Sequence, residues 1–442
     1  DLHSFPTRRS SDLVGVLLTA SYNIIDGIWI AGLGQAAIAG IGFVTPIFMI
    51  LNGVSVGLGS GATSSISRFV GAKNQQKASQ SAEHSLLIIL IASIILTIVL
   101  LISQKTLLIS YGATGQALDE ALNYATPLFL GLIGFMFANG ASGILRGEGD
   151  MKRAMYAVIV SVILNAILDP IFIYVLGFGS AGASLATVFS SVSSACVILY
   201  WILIKKDTYI DVKLKKFKWD SNIVKDILKV GIPASIDMFV MSIAMSMYLS
   251  FIATIGGEYG IAAFSSGNRL YLFAIMPLTA IGSAVTAVSG SAYGAKNGEY
   301  ISRAHIFGSK FGILFGSAVT ILLVVFAPQL SLLFAYTSDT AALVPGITQY
   351  LRIACLCLPF TGAGMVSSFL YQGLGKGFMS LSWTIIREVI FTVSLTYLFG
   401  IIIGWGLIGI WSGIALGRTL ASILNFITAR FTIRHVRSNL VK

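Results

Sequence analysis

Asn165 and Asp169 stand four residues apart in the run Leu164-Asn165-Ala166-Ile167-Leu168-Asp169-Pro170-Ile171-Phe172-Ile173-Tyr174, a spacing that puts both on one helix face. The run lies inside an apolar stretch from about Tyr156 to Leu176, long enough to cross a bilayer, so Asp169 is expected at membrane depth. A carboxylate there costs roughly 2.5–3.5 kcal/mol on insertion scales, so it is expected to face a cavity. Pro170 has no N–H and so frees the carbonyl of Ala166, four residues back. Two side-chain oxygens and a loosened carbonyl then converge on one spot. A structural aspartate that hydrogen-bonds a neighbouring helix is the plainer alternative.

Asp26 supplies a second acid in another apolar stretch, Tyr22-Asn23-Ile24-Ile25-Asp26-Gly27-Ile28-Trp29, with Tyr22 and Asn23 upstream on its face. If the two stretches pack together, Asp26 and Asp169 share a pocket. Two close carboxylates do not both ionise cheaply in low dielectric, so either one keeps a proton or a cation sits between them. Oxygen ligands without Cys or His suit H⁺ or Na⁺ and argue against a transition metal. Thr187, in Ala186-Thr187-Val188, could add a hydroxyl, which makes Asp26, Asn165, Asp169 and Thr187 the candidate ion-coupling set. In the second half of the chain, Asp237, Arg269 and the neighbours Arg387 and Glu388 are candidates for an ion pair or for the lining of a cavity.

Enzyme chemistry finds no foothold. Gly147-Glu148-Gly149-Asp150 fits the GxGD of intramembrane aspartyl proteases, but Asp150 falls in a basic loop and no Tyr-Asp partner exists. His3, His84, His305 and His435 are expected in loops or at the start of the chain, without metal spacing. No GxxxxGK[ST] phosphate loop is present, so transport would draw on an ion gradient and no cofactor is expected. Cys196, Cys355 and Cys357 fall in apolar stretches and read as packing residues.

The elements that must position these residues are membrane helices. Of the 442 residues, 56% are hydrophobic and only 11% charged, against about a quarter charged in soluble domains. Apolar runs are continuous and do not alternate, which excludes a β-barrel. Twelve segments are expected, near 14–33, 38–65, 84–103, 121–145, 154–176, 181–204, 223–254, 260–290, 307–327, 346–370, 379–402 and 406–430. The net charge of +11 sits in alternate loops, as with Arg68, Lys73 and Lys77, or Arg146, Lys152 and Arg153. It therefore reads as a topology signal and not as a nucleic-acid surface, and it puts both termini in the cytoplasm.

A basic linker, 205–222, separates an N-terminal lobe, 14–204, from a C-terminal lobe, 223–430, which is followed by a basic tail, 431–442. The halves repeat. Val70-Gly71-Ala72-Lys73-Asn74 recurs as Tyr293-Gly294-Ala295-Lys296-Asn297, an offset of 223 residues (70 to 293), and Gly177 and Gly182 recur as Gly404 and Gly409, an offset of 227 (177 to 404). Six spans per half bring the second copy in with the first copy's orientation, an arrangement that belongs to transporters. The expected fold is therefore an all-α membrane protein, twelve transmembrane helices in two pseudo-symmetric six-helix lobes. Most of the glycines read as close helix packing, and a hinge is expected at Pro170 alone.

Residues 1–13 stand apart. Ser-Phe-Pro-Thr-Arg-Arg-Ser-Ser-Asp-Leu, from Ser4 to Leu13, matches one reading frame of a widely used sequencing-adapter oligonucleotide. They are expected to be an artefact without function, and the first helix to have lost its native beginning.

Taken together, Tyr22-Asn23-Ile24-Ile25-Asp26, Ile66-Ser67-Arg68 with Gly71-Ala72, Ile144-Leu145-Arg146-Gly147-Glu148-Gly149-Asp150 and Leu168-Asp169-Pro170-Ile171-Phe172-Ile173 resemble the multidrug and toxic compound extrusion (MATE) family. The Asp-Pro pair is similar to its DinF-like and archaeal branch, and the resemblance covers essentially all of 14–442. It implies a central cavity that alternates between membrane faces, with export of drugs in exchange for H⁺ or Na⁺. It implies an N-lobe cation site at Asp26, Asn165, Asp169 and Thr187, with Tyr124 close by. An asparagine of the family is Ser142 here, and a proline of its first helix would fall in the adapter-like stretch, so the chain as written is expected to fail in transport where a native first helix would support it. The expectation is a monomeric antiporter of the inner membrane, surrounded by lipid and taking small organic, cationic substrates. A lipid or lipid-linked oligosaccharide flippase of the same superfamily is the alternative.

Overall fold

The computed structural model describes residues 29, 33, 35–111, 113–205, 207–213, 217–332 and 341–441. Tyr22, Asn23 and Asp26, like the adapter-like stretch, lie outside the described residues. So does the first expected segment, 14–33, apart from Trp29 and Leu33.

The other eleven segments each correspond to a helix or a bent helix pair. They are α1 (Gln35–Gly71), α2 (Gln75–Ser110), α3 (Gly115–Leu130), α4 (Leu132–Glu148), α5 (Met151–Val175), α6 (Gly179–Lys205), α7 (Ser221–Gly257), α8 (Tyr259–Gly294), α9 (Gly298–Val325), α10 (Val344–Gly373), α11 (Gly377–Ile402) and α12 (Gly406–Leu440). Ten are long and apolar enough to span a membrane alone, and α3 with α4, bent by 52°, makes an eleventh span. No strand occurs among the described residues. The helices run further than hydropathy suggested, because polar ends continue them. Asn74 caps α2 by accepting from Lys77 N at 3.0 Å, and Asn297 caps α9 by accepting from Tyr300 N at 2.9 Å.

The chain forms two compact units, Asp1–Ile236 and Asp237–Lys442, so the division falls inside α7, beyond the basic linker. Within the first unit α1 meets α4 backbone to backbone. A Cβ on Gly143 would come 2.3 Å from Gly59 O, and Thr63 Oγ1 donates to both Gly59 O (2.9 Å) and Gly143 O (2.8 Å). The second unit builds the same joint between α8 and α10, where Thr286 Oγ1 donates to Gly282 O (3.5 Å) and Phe369 O (2.9 Å).

The repeat extends to backbone irregularities. Lys73 and Lys296 both take a left-handed φ, 56° and 55°. After Pro170 the helix loosens to i→i+5 bonding over Ile171–Val175, and Leu398–Ile402 does the same. Leu176 N donates to Ile171 O and Ile403 N to Leu398 O, each at 2.8 Å. The second copy has Tyr397 where the first has Pro170. Loosening is therefore a property of both repeats and not of the proline, which corrects the expectation of a hinge at Pro170 alone.

These wide turns lie against a glycine of the next helix. A Cβ on Gly182 would come 2.6 Å from Phe172 O, and one on Gly409 2.3 Å from Phe399 O. Gly182→Ala and Gly409→Ala are each expected to destabilise by about 1–3 kcal/mol. Gly42→Ala, with nothing within 4 Å, is expected to be neutral or stabilising by up to about 1 kcal/mol. Thermal unfolding midpoints in detergent check all three, and equal losses at the three positions would contradict the close approach.

Candidate functional site

Helix α5 has two faces. Ile163, Ile167, Ile171 and Tyr174 are exposed, as lipid-facing residues should be, whereas Asn165, Asp169 and Ile173 are buried. The i, i+4 spacing thus turns Asp169, 0% exposed, into the protein and away from lipid. With the Asn165 amide oriented to suit its neighbours, its nitrogen donates to Asp169 Oδ2 at 2.9 Å and its oxygen accepts from Thr187 N at 3.3 Å. The pairing expected from spacing is present, and α6 completes it.

Thr187 is buried and its hydroxyl donates to Ala183 O at 3.2 Å. Tyr124 packs against the pair Ile173 and Ala183, as Trp29 and Leu33 do, so α3 meets the same corner of α5 and α6. Ser142 is buried on α4.

Sequence reading passed over the other hydroxyls of α6. Ser180, Ser184, Ser190, Ser191 and Ser194 are all buried. Ser184 and Ser190 donate back to Ala181 O and Thr187 O, the habit that lets hydroxyls enter apolar helices. The signal was available in the run Ser190-Ser191-Val192-Ser193-Ser194. Also missed was Glu120 at the start of α3, whose carboxylate accepts from Ser180 Oγ.

The geometry is that of a buried oxygen site repeated in scaffold, though not in chemistry, across two homologous halves. The MatE family model matches residues 13–171 and again 233–398. The chain belongs to the MATE family. This is a family of multidrug efflux transporters. A probable multidrug resistance protein, YoeA of Bacillus subtilis, is 28% identical over 70% of this chain and 68% of its own length. The multidrug export protein MepA of Staphylococcus aureus is 27% identical over 83% of this chain and 80% of its own. A crystal structure of a MATE protein in complex with MaL6 superposes with a TM-score of 0.96 at 38% identity, covering 98% of this chain and 97% of that one.

In the second unit of this MATE protein the positions that match Asn165 and Asp169 are Thr392 and Thr396, both fully buried. The charge lies two turns earlier on α11. Glu388 is 3% exposed and accepts from Arg387 Nε (2.9 Å), from Tyr248 OH (2.9 Å) and from the Arg418 guanidinium (3.4 Å). Arg418 also lies 5.0 Å from the centre of the Tyr271 ring, a cation–π contact. Of the four candidates from sequence, Arg387 and Glu388 form the ion pair. Asp237 Oδ1 is buried without a hydrogen-bond partner among the described residues, and Arg269 is exposed, with no ion pair among the described residues. Arg418 was missed, although an arginine in the middle of segment 406–430 is itself the signal.

Removing one partner of a buried ion pair leaves the others uncompensated, at about 3–5 kcal/mol. Glu388→Ala is accordingly expected to lower stability by that amount, and exposed Arg269→Ala by less than about 0.5 kcal/mol. Unfolding midpoints of the two variants, measured together, check the contrast.

Proposed function

We propose that this MATE protein is a secondary active antiporter that exports organic, cationic compounds in exchange for H⁺ or Na⁺. Asp169 is the ion-binding group, Asn165 and Thr187 are its neighbours, and Asp26 is the second acid. The observation that carries the reading is the complete burial of Asp169, on the inward stripe of a membrane-spanning helix, with Asn165 held against it. A carboxylate placed there changes its energy greatly when a proton or cation arrives, and that difference is what an ion gradient can act on. Oxygen donors alone suit a proton or a hard monovalent ion.

The names of YoeA and MepA support drug export. The chain is read as a monomer of the inner membrane with both termini in the cytoplasm, supported by the alternation of basic loops. The flippase alternative calls for buried arginines that can meet a pyrophosphate. Here Arg387 and Arg418 both engage Glu388, and Arg269 is exposed, so that alternative is not favoured.

The test is efflux of a cationic dye from vesicles under a pH gradient and, separately, under a sodium gradient. Efflux should follow one gradient and fall at least tenfold in Asp169→Asn and in Asp26→Asn, with unfolding midpoints showing that both variants fold. Efflux that both variants carry at the parent rate would overturn the reading.

A further inference from the structure

The basic linker is not a free tether. Its main chain is fastened to the first unit by side chains of α2 and α4, and a side chain of α5 adds an ion pair. Arg153 donates to Asp207 (2.7 Å), and Gln75 Nε2 donates to Tyr209 O (2.8 Å). Glu148 Oε2 accepts from Ile210 N (3.3 Å), Ser79 Oγ from Asp211 N (2.9 Å) and Glu83 Oε1 from Lys213 N (2.7 Å). Ile210 and Val212 are buried in the apolar cluster of this unit. The Lys205 ammonium, and behind it Arg153, hold the exposed Asp207 carboxyl below the usual carboxylate range. Sequence reading placed His84, His305 and His435 in loops. All three are instead in helices, His84 and His305 buried there, and His84 is the last of the fastenings.

His84 sits between two groups whose roles are unambiguous. Its Nδ1 lies 2.7 Å from Gln80 O, a carbonyl that can only accept. Its Nε2 lies 2.9 Å from the main-chain nitrogen of Asp220, an N–H that can only donate. Only the neutral ring with hydrogen on Nδ1 satisfies both. Phe217 and Trp219 pack on the ring, with centroids at 4.8 and 5.7 Å. Asp220 in turn begins α7: its carbonyl accepts from Val224 N at 3.2 Å and its carboxylate from Asn222 N at 2.9 Å.

We propose that residues 207–213 and 217–220 are clamped to the first unit as a strap and that His84 is its proton-sensitive clasp, holding the start of α7 only while the imidazole is neutral. A proton on Nε2 turns an acceptor into a donor and sets N–H against N–H. It also puts a positive charge at the positive end of the α7 dipole. Histidine is the side chain whose ordinary charge change falls between about pH 5 and 8. The charged groups on the elements packed at the clasp include Lys77 and Glu83 on its own helix, Asp211, Lys213, Lys218 and Asp220 on the strap, Lys225 and Asp226 on α7 and Arg68 on α1. Arg68 and Asp226 hold each other through two hydrogen bonds of 2.9 and 2.8 Å, and Glu83 is engaged with the Lys213 amide. A proton on the ring therefore acts on the junction at Asp220, while the Ser79 hydroxyl, which does not titrate, keeps Asp211.

Amide hydrogen exchange of the full chain, corrected for intrinsic rates, tests this without any transport assay. Between pH 8 and pH 5.5 the Asp220 amide is expected to lose protection at least tenfold, with Asp211 as the unchanged internal control. In His84→Gln, whose side-chain oxygen can accept from the amide but cannot titrate, protection at Asp220 is expected to become independent of pH. Equal protection of Asp220 at both pH values in the unsubstituted chain overturns the proposal, whether or not the variant folds. So does a pH response that persists in His84→Gln.

Discussion

No water reaches the main chain inside a bilayer, so each backbone N–H and C=O must find its partner within the protein. That constraint governs where this chain can carry polar chemistry. Helix α5 cannot simply break at Pro170; it re-registers to i→i+5 bonds, and Leu176 N still reaches Ile171 O. Thr63 and Thr286 spread one hydroxyl over two carbonyls where helices touch. The buried hydroxyls of α6 bond back to their own helix in the same way. The polar site at Asn165 and Asp169 stands at the start of such a re-registered turn, where the ladder is already relaxed.

Comparison of the two halves separates scaffold from chemistry. Wide turn, left-handed lysine, asparagine cap and glycine contact occur in both units, so they serve the fold. The acid occurs in one. Where the first unit has Asn165 and Asp169, the second has Thr392 and Thr396, which are buried and carry no charge. Its own carboxylate, Glu388, is surrounded by two guanidiniums and a tyrosine hydroxyl. A carboxylate so fully compensated resists any change of state, and its value is in fixing one arrangement of α7, α11 and α12. The carboxylate of the first unit instead accepts from a neutral amide, that of Asn165.

Much of this was legible in the residues alone, for a physical reason. Bilayer thickness sets helix length, so eleven of the twelve segments could be placed from hydropathy, and the twelfth falls largely outside the described residues. Helical spacing of 3.6 residues by itself puts Asn165 beside Asp169. What escaped notice shares a different feature. Arg418, Glu120 and His84 find their partners Glu388, Ser180 and Asp220 at 30, 60 and 136 residues' separation, and no local pattern announces such a meeting.

The linker makes the same point most clearly. Its composition, basic and polar, is that of a solvated connector, and nothing in it signals docking. Five of its backbone groups are nonetheless claimed by side chains of α2 and α4, and α7 stays with the first unit as far as Ile236. Apolar length, charge alternation, internal repetition and the Asn165–Asp169 spacing are one-dimensional properties, and the residues carry them whatever the chain does next. Which acid is paired with guanidiniums and which accepts from an amide, and whether a polar loop is free or fastened, depend on side chains brought together in the packed structure. Those meetings exist only once the helices have packed.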